Sequence, residues 1–548
     1  MNGKKYVDLD AALEAEKAET KSRWDLVIDY FLPGHGNAYG DRTLQDHEWD
    51  VFDRTGVDAL RDFGAGIYSH TVNINSPWFT LRMNDPELDE SPQVKDALTN
   101  AAKALYRKLQ NSNLEQALTQ LFTFFGAFGT GVLYVDVVDG KFRFNNYSPT
   151  CVNLTEDEHG MVNKVMRTFQ ETAVNAYARW GDGCSQEIVE AATSKESTQK
   201  NRKFQFLHVV CKRDDNERDA EAKNKENKEW ASYYIEKQKG HIVEEGGYDS
   251  LPYMTPRFYR HDESVWGQSP AIAHTDTMAM LCKIRYDIAE HAEATLFPPV
   301  FTDDQEAVDN NLLSMRPRAI NYYKSKDGTP PFALSPGQGR LAETLQFYQD
   351  TVQKVRNAFF ADLFLHQMDD DPNRTATEVM ERKTERGIRI APVIVNVETE
   401  LFGPLVMRCL SLAVEHGFVD EFPEVLQGQE YEVSYTNRLA SMLSRSEMQG
   451  AMQAIEECAR ISELFQTFPL LSEKLNPDEV IDSIMESYNV DTDFTRDPKE
   501  TEQIRQAKQA EMQRQEQAAL QANAVDKIKP NEPIQEGSPL AELQEATG

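Results

Sequence analysis

Ser269-Pro270-Ala271, Leu296-Phe297-Pro298-Pro299 and Thr375-Ala376-Thr377-Glu378-Val379 punctuate one stretch, Ser269 to Gly387, whose reading decides the fold. A helical pattern runs from Pro270 to Leu296, and Phe297-Pro298-Pro299 stops it. A Pro- and Gly-punctuated insert follows. A second helical pattern spans Leu341 to His366, and an acidic loop, Gln367-Met368-Asp369-Asp370-Asp371-Pro372-Asn373-Arg374, leads into a third helix at Thr375. Two long helices around a compact module, then a loop that turns the chain, predict a stalk, a tip and a gate. The first helix carries Ile272, Thr275, Met278, Ala279, Cys282, Tyr286, Ala289 and Ala292, so apolar and small residues cover more than one face. That suits packing against identical neighbours, over a length of roughly 40 Å.

Upstream, Ala11 to Tyr30 reads as an amphipathic helix with Trp24, Val27, Ile28 and Phe31 as its stripe. A second helix runs from Phe52-Asp53-Arg54-Thr55-Gly56 to about Tyr68, and Ser76 to Arg82 alternates like a short strand. Val94 to Phe125 is helical, broken near Asn111 to Asn113. Gly126-Ala127-Phe128-Gly129-Thr130-Gly131 then precedes the strand Val132 to Val137. Helix, Gly run, strand is the reverse of a phosphate loop and no Lys-Ser/Thr follows, so close backbone packing at a corner is expected. Strands dominate to Arg260: Phe142–Tyr147, Met161–Phe169, Gln205–Lys212, Trp230–Glu236 and His241–Glu245, interrupted by a helix at Ala173–Trp180. Asp214 to Lys228 reads as a solvated loop or hairpin tip. His208 and Cys211 lack two further ligands nearby, which argues against a metal pair. Downstream, Tyr431 to Tyr435 alternates as a strand, Ser444 to Tyr488 holds short helical segments, and Lys499 to Val525 is a strong helix former.

The chain has 548 residues, 40% hydrophobic and 27% charged, which fits a folded protein of about two to four domains or one elaborate subunit. No apolar run reaches the roughly 18 residues of a membrane helix, and the N-terminus shows no signal peptide. The six cysteines are scattered without a CxxC pair, against a zinc or disulfide framework. Against 58 basic residues stand 90 acidic ones, a net charge of −32. Such a chain as a whole should repel nucleic acid, since DNA affinity needs clustered Lys and Arg; the charge fits plain solubility as well as a surface that DNA passes without sticking, and does not choose between them.

Five groups of residues carry a family likeness. They are Trp24…Tyr30…Pro33; Asp53-Arg54-Thr55-Gly56…Ala59-Leu60 with Ser76-Pro77-Trp78-Phe79; and Phe125-Gly126…Phe128-Gly129-Thr130-Gly131. The fourth is Pro256-Arg257-Phe258…Trp266-Gly267-Gln268-Ser269-Pro270-Ala271 with Asp276 and Pro298-Pro299; the fifth is Thr375-Ala376-Thr377-Glu378-Val379 with Glu400 and Pro404-Leu405. In this order they resemble the head-to-tail connector, or portal, proteins of short-tailed (podovirus-type) bacteriophages; Trp266 stands where another aromatic such as Tyr is expected. The resemblance implies an α+β ring subunit and no enzyme. It implies residues 1–268 as a wing, 269–297 and 341–366 as stem helices, 298–340 as a clip and 367–374 as a tunnel loop. A wing helix and return strand (375–435), a crown (436–496) and a C-terminal helix or barrel (497–528) complete it; a solvated or disordered segment is an equal reading of the last, and 529–548 reads as a disordered tail.

The same resemblance implies a ring of about twelve subunits at one capsid vertex of the virion, assembled in the host cytoplasm. Its implied partners are double-stranded DNA in non-specific passage, the terminase large subunit, tail adaptor proteins, and major capsid and scaffolding proteins, with no membrane and no cofactor. His366, Gln367, Met368, Asp369, Asp370, Asp371, Asn373 and Arg374 would line the channel, where carboxylates repel phosphate and keep contact weak. Arg316, Arg318, Tyr322, Tyr323, Lys324 and Lys326 form a basic cluster that would dock the motor or tail adaptor. A solvated hairpin remains the plainer reading of that cluster. Two rival functions stand: an adaptor or minor capsid protein with no DNA channel, and a metal-dependent nuclease using Asp369–Asp371. Consecutive residues cannot all face one ion, which counts against the second. There is no Ser/His/Asp arrangement, Walker sequence or HExxH motif, so ATP-driven packaging would belong to another protein.

Overall fold

The computed structural model describes residues 3–35, 51–72, 77–85, 91–213, 227–261, 264–303, 314–323, 330–334, 341–364, 388–418 and 431–435, with 510 and 514 besides. All but those last two fall in one compact unit, Met1–Gly450. The architecture is α+β.

The N-terminal helical stretch is two helices, α1 (Lys4–Glu16) and α2 (Ala18–Phe31), where the sequence predicts one from Ala11. The break is at Lys17. Its ammonium is buried and donates to the carbonyls of Pro149 (2.7 Å), Thr150 (3.2 Å) and Val152 (2.5 Å). A lysine capping another segment's carbonyls cannot lie on a helix's outer face, so the helix turns around it. Burial lowers its pKa to about 7. The predicted stripe of α2 is the buried one: Trp24, Val27, Ile28 and Phe31.

Helix α3 (Thr55–Thr71) precedes strand β1 (Phe79–Met83), whose residues alternate buried and exposed. Helices α4 (Pro92–Gln110) and α5 (Leu114–Phe128) are separated at Asn111–Asn113, as predicted. Strands β2 (Leu133–Val138) and β3 (Lys141–Asn146) form a sheet with β9 (Tyr253–Met254). A five-stranded antiparallel sheet in the order β4-β5-β6-β7-β8 carries β4 (Val152–Glu156), β5 (Val162–Thr172), β6 (Lys203–Lys212), β7 (Trp230–Glu236) and β8 (His241–Tyr248). Helix α6 (Ala173–Trp180) matches its prediction, whereas α7 (Gln186–Thr193) and β4 have no predicted counterpart. Both sheet faces are covered. Tyr6, Val7, Leu9 and Leu13 of α1 pack on Leu207, Val209 and Tyr233; Ala173, Ala176 and Ile188 of α6 and α7 pack on Phe204 and Phe206. Double coverage explains why β6 is apolar almost throughout rather than alternating.

After the hairpin β10 (Tyr259–His261) and β11 (Ser264–Gln268), a short helical turn, Pro270–Ala273, breaks at His274 before α8 (Thr275–Leu296). The single predicted helix is thus two pieces. A three-stranded sheet follows: β12 (Val300–Asp303) lies between β13 (Ile320–Tyr323), parallel to it, and β14 (Phe332–Ala333), antiparallel. Helix α9 (Leu341–Ala358) returns beside α8 and ends sooner than predicted, at Phe359-Phe360, with Phe360 in the left-handed region (φ 55) and a turn at Ala361–Phe364. Helix α10 (Ile388–Glu415) is long and apolar enough to cross a membrane. Here Val393, Val397, Leu401, Leu405, Cys409 and Leu412 are instead part of the main core. Strand β15 (Tyr431–Tyr435) pairs with β1.

Candidate functional site

The residues that carry the sequence likeness converge where α8 leaves the body. Gly129 ends α5 with φ 77, and a Cβ there would fall on the Gly267 carbonyl. The predicted corner is therefore a backbone crossing. Phe258 N donates to Gly129 O (2.9 Å), Gly131 N to Pro256 O (3.0 Å) and Gly267 N to Thr130 Oγ1 (3.0 Å). Ser269 Oγ donates to Ala127 O (2.7 Å) and accepts from Ile272 N (3.1 Å), so one hydroxyl caps the turn that starts α8 and ties it to α5. Trp24 meets Phe128 and Trp266 edge-on, with centroids 5.4 and 5.1 Å away. Gly56 sits where a side chain would strike Phe31 and Met278 of α8.

Asp53 ties the second helix of the pair to the same place. Its carboxylate accepts from Thr55 N (2.8 Å), at the start of α3, and from the Tyr348 hydroxyl of α9 (2.5 Å). Burial, with the Asp53 charge beside it, raises the Tyr348 pKa. Helix α8 is therefore fastened to α5 at its start, and α9 to the start of α3 from partway along its length.

Arg257 is a heavily bonded cation of the body. It is buried, and its N and Nε donate to Glu400 (2.8, 3.1 and 3.2 Å). Nη2 donates to Glu400 (2.5 Å) and Gly160 O (3.0 Å), and Nη1 reaches Glu156. Glu400 lies in a π turn, Glu398–Phe402, within α10. Pro404 supplies the cause: it has no N–H for the Glu400 carbonyl and its ring crowds that carbonyl, so the helix widens by one residue there. Asn396 Nδ2 donates to Phe258 O (3.1 Å), a second tie between α10 and the same segment. The sequence names Arg257, Glu400 and Pro404 but gives no sign that residues 143 apart form one pair.

Beyond this junction the α8–α9 pair is mostly exposed. Ile284 and Ile288 are half-buried, whereas Met280, Tyr286, Leu296, Leu345 and Phe347 are exposed apolar residues. The charges alternate in sign: Lys283 pairs with Asp287 (2.7 Å), and Arg285 reaches the Tyr348 hydroxyl (3.4 Å). At the far end, β13 and the loop before it hold Arg316, Arg318, Tyr322 and Tyr323 of the predicted basic cluster. Arg316, Arg318 and Tyr322 are exposed. Arg318 has φ 63, and its guanidinium lies 4.0 Å from the Phe297 ring centre, at the end of α8. The segment thus presents cations beside exposed Met315, Ile320 and Tyr322.

Lys324, Lys326, His366, Gln367, Met368, Asp369, Asp370, Asp371, Asn373 and Arg374 lie outside the described residues, as do residues 214–226 and 436–509. Among the described residues no group of His, Cys, Asp and Glu could hold a metal ion. His208 and Cys211 point to opposite faces of β6: His208 meets Tyr253 (2.7 Å) and Ser232 (3.0 Å), and Cys211 meets Tyr6 (3.9 Å).

Comparison with known proteins gives a consistent result. The family described as "Bacteriophage head to tail connecting protein" matches residues 4–495. A "Probable portal protein" of Bordetella phage BPP-1 is 25% identical over 531 residues, 94% of this chain and 92% of the relative. A "Portal protein" of Salmonella phage epsilon15 is 25% identical over 516 residues, 91% of this chain and 90% of the relative.

Proposed function

This chain belongs to the family of bacteriophage head-to-tail connecting proteins, and from that premise we infer that it is the portal subunit of a phage virion. About twelve copies close into a ring at one capsid vertex, and the hole conducts DNA in during packaging and out during ejection. The chain is a structural conduit and not an enzyme. Residues 1–268 with α10 and β15 are the wing, α8 and α9 the stem, and the β12–β14 module the clip. The clip docks the terminase large subunit and later the tail adaptors, through Arg316, Arg318 and Tyr322 with Tyr323, Lys324 and Lys326. His366–Arg374 meet the passing DNA, and the wing and the segments after it meet capsid and scaffolding proteins.

Beside the family match, one observation carries this reading. The α8–α9 pair is rooted by Ser269, Gly56 and Asp53, yet exposes Met280, Tyr286, Leu345 and Phe347 along its length. Such a surface is an interface awaiting identical neighbours, and heterologous contact between identical subunits closes rings. The net charge of −32 supports passage over retention, because few cations are left to release counterions from DNA.

Single-particle imaging of the purified protein tests the reading. A ring with a hole wide enough for duplex DNA is expected; a closed assembly without a channel would overturn it in favour of an adaptor. The docking assignment is tested separately. Reversing charge at Arg316 and Arg318 should weaken terminase or adaptor binding most at low salt, and unchanged binding there would move the interface elsewhere. Deleting Asp369 to Asn373 should leave the ring intact and impair DNA packaging or retention; normal packaging would remove those residues from the channel.

A further inference from the structure

The five-stranded sheet carries two arginines that no carboxylate among the described residues answers. Arg167 of β5 is sandwiched between Tyr147 and Phe169, with ring centres 4.1 and 4.3 Å from its guanidinium carbon. Arg179 of α6 lies over Tyr234 (4.5 Å) and Trp180 (4.8 Å). Both charges act on His208, which is fully buried, stacked on Tyr234 at 4.2 Å and held neutral by burial and by these two cations. Among the described residues no carboxylate is within ion-pairing distance of either guanidinium, and Arg167 Nε is buried with no hydrogen-bond partner. This is not the rule on this sheet: Arg213 has Glu245 at 3.2 Å, and Lys237 has Asp10 at 2.7 Å. A rim carboxylate, Glu244, is taken by the Trp180 indole N–H (2.8 Å).

We propose that Arg167 and Arg179, set between aromatic rings on one face of the five-stranded sheet, form a docking site for a carboxylate side chain of an acidic partner polypeptide. A guanidinium fork fits a planar carboxylate in two parallel bonds, and the rings hold the fork in place before the partner arrives. Arginine, tryptophan and tyrosine are also the residues on which protein interfaces concentrate their binding energy. Nucleic acid fits less well. The seam offers two cations, one half-buried, within a chain of charge −32, whereas a phosphate backbone needs a track of them. This site is independent of the channel and clip assignments, since it lies on neither the α8–α9 pair nor the β12–β14 module.

The test is isothermal titration of the full-length protein with a hexaglutamate peptide at low salt. Parallel arms use inorganic phosphate and a short duplex DNA. The peptide should bind, weaken as salt is raised, and lose about tenfold or more in affinity with Arg179→Met. Arg179 is exposed, so this substitution leaves the core alone. Arg61→Met, an exposed arginine on α3, should change nothing. Arg167→Lys keeps the charge but not the fork, and should also lose affinity while the circular dichroism is unchanged. Peptide binding that is absent, or equal in wild type and Arg179→Met, overturns the proposal. Phosphate bound in place of the peptide would make this a small-anion pocket, and DNA bound through Arg179 would make it a nucleic-acid contact; either overturns the assignment to a polypeptide.

Discussion

Arg257 and Arg285 lie on two sides of one boundary. In the body, Arg257 is buried and spends its donors on Glu400, Glu156 and Gly160. On α8, Arg285 is exposed and reaches a tyrosine hydroxyl. The apolar residues repeat the contrast: Phe63, Phe125 and Phe402 are fully buried in the body, while Phe347 and Leu345 of α9 stand in solvent. The described apolar and charged residues of the body are mostly answered within one chain. The helix pair leaves its own exposed, as the proposed ring interface requires.

Substitutions can break or sharpen this contrast. The largest effect is expected from Arg257→Ala, which leaves the Glu400 and Glu156 carboxylates without their buried partner and should cost about 3–5 kcal/mol in chemical denaturation. Arg285→Ala should stay within about 0.5 kcal/mol in the same experiment, and equal losses would abolish the distinction. Gly129→Ala combines a positive φ with a collision at the Gly267 carbonyl and should cost roughly 1–3 kcal/mol. Tyr348→Phe removes the bond to Asp53 at the boundary itself and should cost about 1 kcal/mol, with the Asp53→Asn variant losing a similar amount. The pair Leu345→Asp and Phe347→Asp should leave the melting of the isolated subunit within about 0.5 kcal/mol and prevent ring assembly. An assembled ring from that variant would show the exposed apolar face to be something other than a subunit interface.

The body also predicts a pH effect with a definite sign. Burial lowers the Lys17 pKa from 10.5 to about 7. Between those values the unfolded chain binds the extra proton, so this group's contribution to stability increases as pH rises from 7 towards 10.5. Lys17→Met should flatten that rise in denaturation curves taken across the window, and a slope that survives the substitution would assign it to another group.

Much of the fold is legible in the sequence where one local signal decides. Asn111–Asn113 interrupts two apolar periodicities, and the α4–α5 break is there. Alternation marks β1 and β15, although their pairing, Phe79 with Tyr435, leaves no local trace. The break at Lys17 leaves no local trace in the predicted Ala11–Tyr30 helix, because the carbonyls the lysine caps are more than 130 residues away. The split of the first stem-like helix at His274 has a similar origin, since Ser269 caps a turn too short for periodicity to register. The motif residues are legible as a set, but not as a knot: the crossing of Gly129 with Gly267, and the grip of Arg257 on Glu400, are properties of chain segments brought together by the core. The parallel pairing of β12 with β13 is equally silent, because no turn chemistry connects them.

The π turn at Glu398–Phe402 has a geometric consequence for everything that precedes it in α10. One residue added to a helix advances the azimuth of its upstream half by about 100°. The face that Ile388 and Val395 now show to solvent, opposite Ile390, Val393 and Val397 in the core, is thus set by a spare residue and by Pro404. Excising Thr399 together with Pro404→Ala would close the ladder to a plain α-helix and swing that face round by more than a quarter turn, aiming a different set of side chains outward.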